Sequence, residues 1–270
     1  MEAFHIFSPG SADMEDIKVR KIEVADVLDA LRLGFEDFIA RPSHYIFLVI
    51  IYPVIGILLF TFASGGNAFQ LLFPLMSGFA LIGPIAAIGL YEISRRRELG
   101  MDTSWKHAFE VRRSPAIPAI VAVGAMLVVM FLLWLLAANL LFLWLFGSDQ
   151  KSVTFELLYD LISTTRGWTL ILLGNGIGFC FAVAVLCTSV VAFPILLDRD
   201  VGAVSAIKAS IAASTMNPIP MASWGLIVVG CLILGALPGL AGLLVVLPVL
   251  GHSTWHIYRK VIEPSHDAKA

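Results

Sequence analysis

The chain has 270 residues, of which 59% are hydrophobic and 14% are charged, and its net charge at pH 7 is −2. A soluble domain carries about 25% charged residues and cannot hide this much apolar surface. The composition therefore excludes an ordinary soluble domain and indicates an integral membrane protein. The near-neutral charge predicts no nucleic-acid partner. Three cysteines, all within apolar runs, do not predict a disulfide framework.

The first 40 residues are the most polar part of the chain. Residues 1–23 are predicted to form a flexible cytoplasmic segment, and no cleavable signal peptide is visible before the first apolar run. Residues 24–40 follow as an amphipathic helix with Asp29, Arg32, Glu36 and Asp37 on its polar side. Its apolar stripe comprises Val24, Val27, Leu28, Leu31, Phe35, Phe38 and Ile39. We expect this helix to lie along the membrane surface.

Six later stretches are apolar and long enough to cross a membrane as helices. They cover residues 44–63, 70–91, 117–146, 169–194, 219–236 and 239–258. The last two are separated only by Leu237 and Pro238, which predicts a tight turn. We therefore predict an all-α protein with a six-helix membrane domain over residues 24–262 and a cytoplasmic tail over 263–270.

Basic residues are unevenly distributed among the connections between these spans. Of the 18 Lys and Arg residues, only Lys151 and Arg166 fall in connections on the side opposite the termini. Because loops rich in Lys and Arg stay in the cytoplasm, both termini are predicted to be cytoplasmic.

A short amphipathic segment precedes each pair of spans. Besides 24–40, residues 103–113 carry Trp105 near Lys106, and residues 203–215 carry a smaller apolar stripe. The third segment has Val204, Ile207 and Ile211 in this stripe, and Leu31-Arg32 of the first matches Ile207-Lys208 of the third. We predict a pseudo-threefold repeat of an interfacial helix followed by a transmembrane hairpin.

The end of the last span carries two histidines. His252 and His256 are four residues apart and share one helix face, and ionisable residues within a membrane mark functional sites. An alternative is an interfacial belt in which Trp255 and Tyr258 anchor the helix. Both interpretations stay open. A zinc protease is excluded, because Ser253 stands where its motif requires glutamate.

An arginine cluster follows the second span. Arginines beside a membrane bind phospholipid headgroups or a partner's carboxylates, although we favour a role in fixing topology. Glu92 is not explained by orientation, and we expect it to pair with Arg95 or Arg96 of its own helix or to meet the last helix. The candidate cytoplasmic-face site comprises Glu92, Arg95, Arg96, His252, His256 and Arg259, of which His252 and His256 are also weak metal candidates. The predicted interfacial anchors are Phe35, Trp105, Trp255 and Tyr258.

Three longer motifs carry a family resemblance. They are GFALIGPIAAIGLYEISRRRELG from residue 78, the closing PVLGHSTWHIYRK, and the early ALRLGFEDFIARP. They resemble the bacterial inner-membrane family catalogued as domain of unknown function 2189, over about Val24 to Val261. The resemblance implies a multi-pass inner-membrane protein and implies no activity or cofactor.

We therefore expect a non-enzymatic protein without a cofactor that organises lipid or protein partners at the cytoplasmic face. Its partners would be the phospholipid bilayer, with anionic headgroups or another membrane protein. One alternative is a small-solute or ion transporter or channel, with Pro84, Pro248 and His252 lining its path. A second is a bis-histidine haem or metal protein.

Overall fold

The computed structural model describes residues 17–40, 56, 72–79, 83–104, 107, 111, 114–147, 155–238 and 241–264. Within these ranges the regular structure is helical. In chain order the helices are α1 Val24–Ala40, α2 Leu72–Phe79, α3 Gly83–Ala86, α4 Ile88–Glu98, α5 Ile117–Phe146, α6 Phe155–Ser163, α7 Thr165–Ser189, α8 Ala192–Asp198, α9 Ala203–Met216, α10 Pro218–Ala236 and α11 Leu243–Val261.

Backbone contacts divide the chain into two compact units. The first comprises Met1–Ile51, Pro84–Ala125 and Leu186–Ala270, and the second comprises Tyr52–Gly83 and Met126–Val185. The second unit is held in part by Trp134, whose indole nitrogen donates a 2.9 Å hydrogen bond to the Pro74 carbonyl. The first unit contains the predicted site residues that the structure describes.

In the described part of the chain, three helical stretches are long and apolar enough to cross a membrane. They are Ile117–Phe146, Thr165–Asp198 and Pro218–Ala236. They coincide with the predicted spans 117–146, 169–194 and 219–236, which are confirmed as helices of membrane length.

The other three predicted spans are not confirmed. Over residues 70–91 the described residues fall in α2, α3 and the start of α4, with a turn at Ala87 between α3 and α4, while residues 70, 71 and 80–82 are not described. The last predicted span corresponds to α11, whose final turns are polar, and it is not among the three long apolar helices. Several predicted elements lie outside the described residues: residues 1–16, the span 44–63 apart from Gly56, Trp105 with most of segment 103–113, and the tail from residue 265.

A break separates α7 from α8 within one apolar stretch. Pro194 has no N–H to donate to the carbonyl of Val190, so the helix cannot run on regularly. At the same break, the amide of Val191 donates a hydrogen bond to a side chain of another helix, Ser210 Oγ of α9, at 3.2 Å. The break therefore lies where α9 packs against α8.

Helix α1 has the predicted bounds but three faces instead of two. Its buried face, which packs against α11, is made mainly of small residues and ends in an acid: Val27, Ala30, Gly34 and Asp37. A second face exposes large apolar side chains, namely Val24, Leu28, Phe35 and Ile39. A third face is charged and exposed, with Arg32 paired to Asp29 and Glu36.

The segment just before α1 is bonded to the end of α11. The Arg20 amide donates to the Val261 carbonyl at 2.7 Å, and the Ile22 amide donates to Asn217 Oδ1 at 2.8 Å. These two hydrogen bonds therefore hold this part of the predicted flexible segment 1–23 in place.

Candidate functional site at the ends of four helices

From Gly251 to Val261, α11 is enclosed by other helices of the same unit. A side-chain carbon at Gly251 would lie 2.6 Å from Leu90 Cδ1, so the absence of a side chain lets α4 approach closely. On another side, a side-chain carbon at Gly34 of α1 would lie 2.5 Å from the Ser253 amide nitrogen. Small residues on both sides therefore bring α1 and α4 against one helix and bury His252 completely.

Asp37 is the centre of a polar cluster buried at this junction. Its Oδ2 accepts hydrogen bonds from the Ser94 hydroxyl at 2.6 Å and from His256 Nε2 at 3.0 Å. Its Oδ1 accepts a 2.5 Å bond from Arg97. One side chain of α1 thus joins α4 to α11.

Ser94 links Asp37 to the second histidine. Its Oγ lies 2.5 Å from His252 Nδ1. Because the Ser94 hydroxyl donates its proton to Asp37, its oxygen acts as the acceptor and His252 donates from Nδ1. His252 Nδ1 is also 3.7 Å from Asp37 Oδ2, which places an imidazole dipole beside the carboxylate.

The buried carboxyl of Asp37 stays ionised. Burial alone would raise its pKa, but the hydrogen bonds from His256 and Ser94 outweigh burial and hold the pKa below its ordinary value of 3.8. A group whose pKa is lowered in the folded state adds stability above its unfolded pKa, and that stability disappears as the pH falls through the folded pKa.

We expect the docking of α1 to weaken in acid. At neutral pH the Asp37 carboxylate contributes fully, and below about pH 4 its protonation removes that contribution. Hydrogen exchange of residues 24–40, corrected for intrinsic rates, should show lower protection at pH 3 than at pH 6. The Asp37→Asn variant should show a smaller change between the two pH values. An equal change in both proteins would assign the acid effect to other carboxylates.

The predicted arginines are paired with acids inside the protein. Glu92 accepts bonds from Arg95 and Arg96, each at 2.8 Å. The first of the two alternatives for Glu92, pairing within its own helix, is therefore the observed one. Glu92 is 5% exposed, so the two guanidinium groups compensate a buried charge.

Acids of α4 and α8 hold the end of α11. Arg259 contacts Glu98 at 2.8 Å and Asp198 at 3.4 Å. Asp198 also accepts a 2.6 Å bond from the Tyr258 hydroxyl, and Glu98 accepts a 3.1 Å bond from the Trp255 indole. Three helix ends are thereby tied together by charge-assisted hydrogen bonds.

The prediction of Trp255 and Tyr258 as interfacial anchors is wrong. Both side chains have no exposed surface, whereas a belt residue must present its ring to the membrane interface. They were misassigned because the same aromatic residues with polar tips also suit buried positions that offer an acceptor. Phe35 is 47% exposed and stays a predicted anchor, and Trp105 lies outside the described residues.

Of the α4 arginines, Arg97 shares the Asp37 cluster with the two histidines, whereas Arg95 and Arg96 pair with Glu92. Sequence analysis missed the residues that hold the ends of α1, α4, α8 and α11 together. These are Asp37, Ser94, Arg97, Glu98 and Asp198. A signal for Asp37 was present, since it follows Val27, Ala30 and Gly34 at helical spacing on a face of small residues. An acid on such a face indicates a buried partner.

The contacts of this cluster join helices to one another, and Ser94 is not placed to act as a nucleophile. Ser94 is 1% exposed and its proton points to a carboxylate, so the hydroxyl is neither accessible to a substrate nor activated by His252 as base. Among the described residues there is no group of three His, Cys, Asp or Glu side chains arranged to hold a metal.

Residues 72–198 match the family model described as "Predicted integral membrane protein (DUF2189)". The resemblance seen in the sequence motifs is therefore confirmed over this range, which begins at α2 and ends with α8. No curated protein and no solved structure matches the chain.

Proposed function

We propose that this protein is a non-enzymatic, six-span inner-membrane protein that organises lipid or protein partners at the cytoplasmic face. One observation carries the proposal. Helix α1 is fixed to α4 and α11 through Asp37, and it exposes an apolar face that includes Leu28, Phe35 and Ile39. A helix held rigidly with such a face exposed can dock on a bilayer.

The placement of helix ends supports six spans with both termini on one side. The ends of α4, α8 and α11 meet through Arg259, and the segment before α1 is bonded to Val261. The start of α10 joins the same junction through Asn217. Each of these helix ends falls on the cytoplasmic side in the predicted topology. Helix ends that meet on one side of a membrane are separated along the chain by an even number of spans.

The burial of α1 and α9 supports the proposed repeat. In the predicted correspondence, the buried positions of α1 fall on buried positions of α9, and most of its exposed positions fall on exposed ones. The buried pairs are Val27 with Ala203, Ala30 with Ala206, Gly34 with Ser210, and Asp37 with Ala213. The exposed pairs are Leu28 with Val204, Arg32 with Lys208, and Phe35 with Ile211. Each helix thus packs through small side chains and presents larger ones outward.

Partner contact is assigned to the apolar faces and not to the arginines. Arg95 and Arg96 share the Glu92 carboxylate and Arg259 contacts Glu98, so acids of the protein itself hold these three guanidinium groups. The alternative of transport has weaker support, because His252 is completely buried and hydrogen-bonded and Pro248 is also buried.

Replacing Phe35 by glutamate should remove α1 from the bilayer without unfolding it. The side chain is half exposed, so its contribution comes from lipid contact, at about 1.5–3 kcal/mol for a large apolar group. In nanodiscs, a fluorophore on Leu28→Cys, in a background lacking the native cysteines, should be quenched by brominated lipids. Phe35→Glu should reduce this quenching strongly.

The matched control is Glu36→Lys, which changes charge on the neighbouring exposed face and should preserve quenching or raise it slightly. If Phe35→Glu leaves quenching unchanged, α1 does not contact lipid through this face, and the proposed role loses its main support.

A further inference from the structure

A basic cavity lies between the segment before α1 and the end of α11. Its volume is about 300 Å³, and it is lined by Arg20, Lys21, Ile22, Asp26, Arg259 and Lys260. A water molecule occupies about 30 Å³ in the liquid, so the cavity has room for a polyatomic ion together with water. None of the contacts in the Asp37 cluster involves this cavity.

The basic groups of the cavity are unequally compensated. Arg259 contacts Glu98 and Asp198, and Lys260 contacts Asp29 at 2.8 Å and Asp26 at 3.7 Å. Both of these cations are thus engaged with carboxylates, and so is Asp26, the acid that lines the cavity. Among the described residues, the other two basic residues, Arg20 and Lys21, form no ion pair with a carboxylate.

Arg20 and Lys21 are therefore the cationic groups of the cavity that are open to an anion. The Arg20 guanidinium donates to the carbonyls of Arg259 and Ile262, at 2.8 and 3.4 Å, and these neutral acceptors leave its charge in place. Both bonds use Nη2, whereas a guanidinium carries five N–H donors. The bonds also fix its orientation, so an anion would meet a pre-positioned group.

We propose that this cavity binds a phosphate group. Two neighbouring cations, one of them a guanidinium, suit a tetrahedral oxyanion of one or two negative charges. The proposal concerns residues that the lipid-docking face does not use, so it goes beyond the function proposed above.

The position of Asp26 indicates the source of the phosphate. Asp26 precedes Phe35 by nine residues, which at about 100° per residue places it on the opposite side of α1. If the Phe35 face meets lipid, the cavity opens toward water, and the phosphate belongs to a soluble molecule. This choice of source, unlike the site itself, rests on the proposed function.

Calorimetric titration of the full chain in phosphatidylcholine nanodiscs with inorganic pyrophosphate tests the site. We expect saturable binding that weakens about tenfold or more in Lys21→Glu, because one charge-assisted contact is lost and reversed. Lys21 is exposed, so the variant should fold. Lys18→Glu, three residues away and also exposed, is the matched control and should bind like the native protein. Absence of binding, or equal loss in both variants, would overturn the site.

A second arm distinguishes the two sources of phosphate. Nanodiscs that contain phosphatidylglycerol should leave pyrophosphate affinity unchanged if the cavity faces water. Competition by the anionic lipid, abolished by Lys21→Glu, would show that a headgroup occupies the cavity and would overturn the soluble source. Because this arm does not depend on quenching at residue 28, failure of the site and failure of lipid docking by α1 are separable.

Discussion

Replacing Asp37 by alanine should release α1 from the rest of its unit. The carboxylate is 6% exposed and accepts bonds from the buried Ser94 hydroxyl and the partly buried His256 ring, so its removal leaves both donors without this acceptor. Its third donor, Arg97, is exposed and can turn to water. An unsatisfied buried donor costs about 1–3 kcal/mol. At the upper bound, amide exchange in residues 24–40 should be about a hundredfold faster than in the native protein.

Glu36→Ala is the control for this experiment. Glu36 is the adjacent acid and is paired with Arg32, but both side chains are largely exposed, and such pairs contribute about 0–1 kcal/mol. Exchange in α1 should therefore change little. Equal effects of the two substitutions would mean that the Asp37 cluster does not hold the helix.

A methyl group at residue 34 should also displace α1. In Gly34→Ala, the new carbon would lie 2.5 Å from the Ser253 amide nitrogen and 2.8 Å from its Cα, and it would also collide with Ser253 Oγ. A helical backbone cannot yield as a flexible side chain can, so the helices must separate, at about 1–3 kcal/mol or more. Protection of α1 against exchange or protease should fall.

The sign of this effect makes it diagnostic. In the absence of a clash, alanine stabilises a helix by about 0.5–1 kcal/mol relative to glycine. Gly230 of α10 has no neighbouring atom within 4 Å of such a carbon, so Gly230→Ala should be neutral or stabilising. Adding Ser253→Gly to Gly34→Ala removes only the hydroxyl collision and should rescue docking in part. Stabilisation by Gly34→Ala would contradict the close approach.

Much of the architecture was determined by the sequence itself. A bilayer selects long apolar helices, so hydropathy alone located Ile117–Phe146, Thr165–Asp198 and Pro218–Ala236. Helical periodicity gave the bounds of Val24–Ala40, because the period depends only on local geometry. The pairing of Glu92 with Arg95 and Arg96 was among the expected alternatives for the same reason, since residues three or four apart on one helix are neighbours.

Only the tertiary structure determined which residues form the polar cluster. Asp37 was assigned to a solvated face, and Trp255 and Tyr258 to a membrane belt, because an amphipathic pattern distinguishes apolar from polar faces but not protein from lipid as the apolar partner. Formation of the polar cluster depends on two glycines that lie far apart in the chain. Gly34 and Gly251 let α1 and α4 approach α11 closely enough for Asp37 to reach Ser94 and His256. Such close packing is a property of paired surfaces, which no single helix sequence specifies.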